Sequence, residues 1–362
     1  MIQLSSTSVE KYTHGADVNQ SGLESNDSKG LDEASADWKT QLSQSKMTTA
    51  ELLRRLELNS HPLASTDAEK LFELRVPPAY LEKIRKGDPN DPLLLQILPQ
   101  KAEHLTVPGY TEQPLDEQNY TPVKGLLHKY TNRVLLITSA ACAINCRYCF
   151  RRNFPYAEHR QSRADWQAAL DYIRQTKELD EVILSGGDPL IQTNGYLLWL
   201  LNEIDAIEHI TRIRIHTRML TSMPERMDAP LLAGLSALKT ATVIVSHCNH
   251  PNELGDDLQD MFSKLKAANV TLLNQAVLLK NVNDDAQVLA ELSKALFKLG
   301  ILPYYLFLLD PVSGAAHFDM PLERAQRIYQ DLQSRLPGYL VPRLSIEIPG
   351  QASKTLVNLS QT

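Results

Sequence analysis

From residue 133 onward, short apolar runs rich in β-branched residues alternate with longer stretches whose apolar positions recur at helical spacing. Residues 134–137, 181–184, 212–215, 242–245, 271–276 and 304–308 read as strands. Residues 163–176, 196–207, 254–268, 286–299 and 322–336 read as helices, with a shorter one over 229–235. Six such βα units predict an α/β fold, a parallel (β/α)6 barrel or partial barrel with its helices outside. In that architecture functional side chains belong at the C-terminal ends of the strands. Ahead of residue 131 the pattern differs. The first 45 residues are rich in Ser, Thr, Asn, Asp and Gly, and read as a disordered extension. Residues 46–130 form an N-terminal helical region and linker, with helices over 48–58, capped by Thr49, 67–74 and 78–86. The proline-rich stretch 90–129 reads as an irregular linker along the domain edge. The barrel core takes 131–338, and 339–362 make a short C-terminal segment.

Composition adds a compartment and removes some partners. With 43% hydrophobic and 22% charged residues, the chain of 362 can bury one large core. No stretch reaches the roughly 18 apolar residues of a membrane span, and the N-terminus lacks a basic segment followed by an apolar core. Cytoplasmic placement is the expectation. A net charge of −6 gives no electrostatic footprint for nucleic acid.

Three of the four cysteines stand in one run, CAINCRYC, as Cys142, Cys146 and Cys149. The CxxxCxxC spacing suits three corners of a [4Fe–4S] cube and leaves one iron open for another ligand. A zinc knot completed by His128 or His159 is the structural alternative, although zinc sites more often use two separated CxxC knuckles. Disulfides are disfavoured, because four cysteines are too few to staple a chain this long and three crowd a single loop. A non-catalytic iron–sulfur carrier or sensor also accounts for the cysteines.

Other candidates fall at the expected strand ends. The second strand runs into Ser185-Gly186-Gly187-Asp188, where paired glycines admit a close ligand and Asp188 offers a carboxylate to a cationic amine. The plain reading there is a tight turn with Asp188 as a cap. His247 ends the fourth strand beside Cys248, the former readable as a satisfied core histidine and the latter as a small buried residue. Asp310 ends the sixth, and Glu347 precedes IPGQASK. Two such acids can hold a substrate ammonium. Lys354 sits among small residues, as a lysine entering a crowded cofactor site requires.

The cysteine spacing resembles that of radical S-adenosylmethionine (SAM) enzymes. From about residue 89 onward the chain resembles, more narrowly, the lysine 2,3-aminomutases, through GLLHKYTNRVLLIT, CRYCFRR, SGGDPL, NHPNE, NQAVLLKNVND, PYYLFLLD, GAAHF and PGQASKT. That resemblance implies a radical SAM partial barrel carrying a [4Fe–4S] cluster on Cys142, Cys146 and Cys149, with SAM on the open iron, and pyridoxal 5′-phosphate on Lys354. By position it implies Arg133 and Gln275 near the pyridoxal phosphate, and Arg151 on the substrate carboxylate. Asp310 and Glu347 would hold the substrate ε-ammonium, and Gly186, Gly187, Asp188 and His247 would lie in SAM-contacting segments. Glu347 stands where the free-lysine enzymes carry aspartate, and the chain stops eight residues after Lys354, without their C-terminal extension. The short tail, with CRYCFRRNFPY and PYYLFLLDPVSGAAHF, is more similar to the elongation factor P branch, which makes (R)-β-lysine from L-lysine for a separate ligase to attach. Implied partners are therefore L-lysine, an external reductant such as flavodoxin or ferredoxin, and a functional link to elongation factor P and its ligase, with room for a homo-oligomer. Aminomutases making (S)-β-lysine or acting on glutamate are the neighbouring alternatives.

Overall fold

A computed structural model describes residues 38–155 and 161–359. Nine strands form one sheet in sequence order: β1 (Leu126–Tyr130), β2 (Arg133–Ser139), β3 (Glu181–Gly186), β4 (Arg212–Thr217), β5 (Ala241–His247), β6 (Thr271–Val277), β7 (Leu302–Phe307), β8 (Arg343–Ile346) and β9 (Thr355–Leu356). Strands β2 to β8 are parallel, and the sheet is flanked by antiparallel β1 and β9. The six predicted strands are all present, each within three residues of its expected ends. The sequence reading missed β1, β8 and β9, so the parallel run has seven strands rather than six. In β8 the signal is short, with only Leu344 and Ile346 apolar in RLSI.

The register staggers around the sheet. Arg133 faces Glu181 and Arg212 faces Ala241, yet Val243 faces Thr271, Leu273 faces Leu302 and Tyr305 faces Arg343. Each later strand therefore starts further along its neighbour, as the tilt of a barrel requires. No pairing joins β9 to β1, so the barrel is partial. Side chains bridge the gap instead: Glu347, just past β8, accepts from Lys129 and Tyr130 at the β1–β2 turn.

In the N-terminal region lie α1 (Thr49–Arg55), α2 (Thr66–Leu71), α3 (Pro78–Leu81) and α4 (Pro92–Leu95). Thr48, not Thr49, caps α1 by accepting from Glu51 N, while Thr49 donates through Oγ1 to Glu69 at 2.8 Å. The expected linker over 90–129 is corrected too. Its first part is core, because Leu93, Leu94, Ile97 and Leu98 have no exposed surface and pack with Ile144 and Cys146 of the cysteine loop. Prolines there start a helix at Pro92 and a capped turn rather than a surface strap. Of the supposed disordered extension, residues 1–37 lie outside the described residues, whereas 38–44 are helical with Trp38 buried against Arg226.

Around the sheet pack α5 (Trp166–Gln175), α6 (Asn194–Asp205), the short α7 (Met219–Ser222), α8 (Ala229–Ala237), α9 (Gln259–Ala267), α10 (Ala286–Lys298) and α11 (Leu322–Arg335). Their apolar faces cover the strands in one continuous core, including Leu170 and Ile173 of α5, Leu197 and Leu201 of α6 and Leu289 and Leu296 of α10. That layer leaves the inner face of the sheet and its C-terminal rim for polar side chains. No helix among the described residues is long and apolar enough to cross a membrane.

Candidate active site

The rim holds most of the expected residues. Cys142, Cys146 and Cys149 follow β2, and all three are free thiols of intermediate exposure. Burial pushes the Cys142 thiol well up and that of Cys149 up to about 11, each raised further by a neighbouring cysteine. Three soft donors on one loop suit a cluster that bonds to thiolates. No group of three or more His, Cys, Asp or Glu residues among the described ones is set to hold a single ion. A cube needs no such convergence, since each of three irons takes one thiolate. Of the two zinc candidates, His128 Nδ1 pairs with the Tyr172 hydroxyl at 2.7 Å, and His159 is outside the described residues.

Gly186 and Gly187 earn their place against that loop. Gly186 has φ +117°, and a Cβ there would meet Ser139 O at 2.6 Å. At Gly187 a Cβ would stand 2.3 Å from Ala141 O, just before Cys142. Gly187 N and Asp188 N donate to Ser139 O and Ala141 O at 2.8 and 2.9 Å, tying the two rim segments together. Asp188 is not available to a cationic amine. Its carboxylate accepts from Thr217 Oγ1 at 2.8 Å, Arg218 N at 2.8 Å and Leu190 N at 3.0 Å, capping the turn that begins at Pro189. Burial raises its proton affinity while those hydrogen bonds lower it.

Arg151 is buried and forked onto Glu117, with Nε and Nη2 at 2.9 and 2.6 Å from the two carboxylate oxygens. Its Nη1 reaches Ser185 Oγ at 3.0 Å. This planar clamp on a carboxylate is the geometry that an amino-acid carboxylate would also need.

Deeper in the lumen, His247 Nε2 lies 3.0 Å from Gln275 Nε2 and 3.2 Å from His216 Nδ1, a polar row across β4, β5 and β6. Burial keeps both imidazoles neutral, holding His247 down to about 3 and His216 well below its ordinary value. Neighbouring Cys248 is fully buried, as the plain reading had it.

The last group gathers where the stagger closes the barrel. Lys354 Nζ donates to Glu347 Oε2 at 2.9 Å and stands 4.6 Å from the Phe307 ring. The other Glu347 oxygen accepts from Tyr130 OH at 2.7 Å and from Lys129. Arg133 stacks on Tyr130 at 4.0 Å, so a residue at the start of β2, far from the expected rim, still borders Lys354's surroundings. Asp310 lies three residues beyond β7, within electrostatic reach of Lys354, Glu347, Glu117 and Arg151. The structure thus sets Asp310 within electrostatic reach of Arg151, Glu347 and Lys354, with Lys354 bonded to Glu347. It also supplies residues that the sequence reading passed over, namely Glu117, Lys129, Tyr130, His216 and Arg218. Two of those, His216 and Arg218, stand at or just past the end of β4, where strand-end logic would have found them.

Comparison with known proteins places the chain among its relatives. Residues 136–292 match the Radical SAM superfamily, whose chemistry implies a [4Fe–4S] cluster and SAM. An L-lysine 2,3-aminomutase of Escherichia coli is 47% identical over 89% of this chain and 95% of its own length. One from Haemophilus influenzae is 50% identical over 81% of this chain and 86% of its own. The Clostridium subterminale enzyme of that name is 33% identical over 89% of this chain and 77% of its own. On identities of this level over most of both chains, and on a parallel α/β sheet, the chain belongs to the L-lysine 2,3-aminomutase family of radical SAM isomerases.

Proposed function

We propose that the protein converts L-α-lysine to (R)-β-lysine, moving the amino group from Cα to Cβ and a hydrogen from Cβ to Cα, for modification of elongation factor P. The observation that carries the substrate is a charge layout: the Arg151 guanidinium, whose fork already holds the Glu117 carboxylate, lies within electrostatic reach of Asp310, which is itself within reach of Glu347 and Lys354. Bound there, the cluster and SAM supply hydrogen-atom abstraction from an unactivated carbon, and pyridoxal phosphate on Lys354 supplies a π system through which nitrogen can migrate.

The chain's own residues do the rest. Cys142, Cys146 and Cys149 hold the cluster. Arg151 takes the substrate carboxylate, which fixes which carbon is presented. Asp310 and Glu347 take the ε-ammonium, and Glu347 already accepts a primary ammonium of that kind from Lys354. Arg133 and Gln275 border the pyridoxal phosphate, and neutral His247 with the Gly186–Asp188 backbone borders SAM. Neutral imidazoles suit a lumen that must carry polar ligands without attracting bulk water. Two acids at the distal end favour a cationic side chain over that of glutamate. Assignment to the elongation factor P branch is supported by the strings CRYCFRRNFPY and PYYLFLLDPVSGAAHF. An electron from flavodoxin or ferredoxin would start each cycle.

Anaerobic incubation of the reconstituted protein with L-lysine, SAM, pyridoxal phosphate and dithionite tests this directly. Chiral chromatography should show (R)-β-lysine. The opposite enantiomer would move the role to free β-lysine metabolism, and no β-lysine from protein with a full cluster would overturn the substrate.

A further inference from the structure

Arg218 follows β4 and is 5% exposed, yet it belongs to none of the roles above. Its Nη1 donates to Cys146 Sγ at 2.7 Å and to the Tyr148 hydroxyl. Its Nη2 donates to Gln96 Oε1 at 2.8 Å, Tyr80 OH at 3.2 Å and Glu253 Oε2 at 3.3 Å. Glu253 is itself fully buried and is fixed through Oε1 by the backbone N–H groups of Asn249 and His250, at 3.0 and 3.2 Å. The pair is therefore an oriented buried dipole. Its positive end touches a cysteine sulfur, and its negative end is anchored on the far side of the guanidinium.

We propose that Arg218 is a positioning residue for Cys146 and sets the reduction potential of the cluster, an inference resting on Cys142, Cys146 and Cys149 as its ligands. Hydrogen bonds to ligand sulfurs and nearby charge are principal controls of an iron–sulfur potential. One-electron reduction adds negative charge to the cube, and a cation held against its ligand in a dry interior stabilises that charge. Arg218 raises the potential, and Glu253 partly offsets it. A structural staple would need the hydrogen bonds but not this polarity.

The test is an EPR-monitored redox titration of the full-length reconstituted protein without SAM or substrate, with iron content measured on each sample. Arg218→Gln should shift the midpoint to a more negative value, and Glu253→Gln should shift it to a more positive one. Equal midpoints in all three proteins, or a shift of the same sign in both variants, would overturn the proposal. If Arg218→Gln holds no cluster, Glu253→Gln decides alone, because an unmoved midpoint there excludes the dipole. A full four-iron cluster in Cys146→Ala would instead show that the ligand assignment had failed.

Discussion

Asp310 and Glu347 are two acids at the ends of neighbouring strands, and their surroundings drive their proton affinities apart. Burial pushes Asp310 up to about 7, against the pull of Lys354. Glu347 is drawn down to about 2, because Lys354, Lys129 and Tyr130 together outweigh its burial. Below about pH 7 Asp310 is therefore protonated, and an arriving ammonium meets one carboxylate rather than two. L-Lysine should bind more tightly as pH rises through about 7, and Asp310→Asn should flatten that dependence in isothermal titration. A slope preserved in the variant would refute the assignment. The identities of these acids were visible in the sequence. Their opposite states were not, since the cations beside Glu347 come from positions 129 and 354, which only the closing of the barrel brings together.

At the scale of elements, strand periodicity and strand-end placement were enough to find the barrel and most of its rim. What they could not find was the contact between rim segments. The glycines read as room for a ligand also make room for the cysteine loop. Gly187→Ala forces a methyl group to 2.3 Å from Ala141 O, where backbone rather than a side chain must yield. Overpacking of that kind costs about 1–3 kcal/mol. The loss should appear in denaturant unfolding together with reduced iron retention. Ordinary iron content in a destabilised Gly187→Ala would show that the loop keeps its geometry independently of the turn. The short strand β8 escaped notice for a related reason: four residues, only two of them apolar, carry too little pattern to separate from loop.

Across the whole molecule, the N-terminal region is built into the core and not appended to it. Glu103, fully buried, receives the Arg147 guanidinium at 2.9 Å through Nε and Arg152 Nη2 at 2.6 Å. Arg147 also donates to the carbonyls of Phe72 and Ala68 at 2.6 and 3.0 Å, and Asn145 N donates to Arg75 O at 3.1 Å. The cysteine loop is thereby clamped by residues some 40 to 80 positions earlier. Glu103→Ala would leave two guanidiniums buried without their counter-charge. A broken buried pair costs about 3–5 kcal/mol, so the variant should lose that much in denaturant unfolding, and a change within error would show that water replaces the carboxylate. Composition misled the reading here. Prolines at 92 and 99 suggested a surface strap, whereas the leucines between them are sealed against Ile144.

The hairpin that carries Lys354 is held by two strand pairs, Ser345 with Leu356 and Ile346 with Thr355, and by the Glu347 contacts across the gap. Chain order then gives the molecule a chronology. The cysteine loop and Arg218, the guanidinium that touches it, are present once residue 218 has been made, while the carboxylate that bridges the sheet edges arrives more than a hundred residues later. That carboxylate, Glu347, is also the one that holds Lys354, so a single late side chain both joins the two edges and orients the lysine.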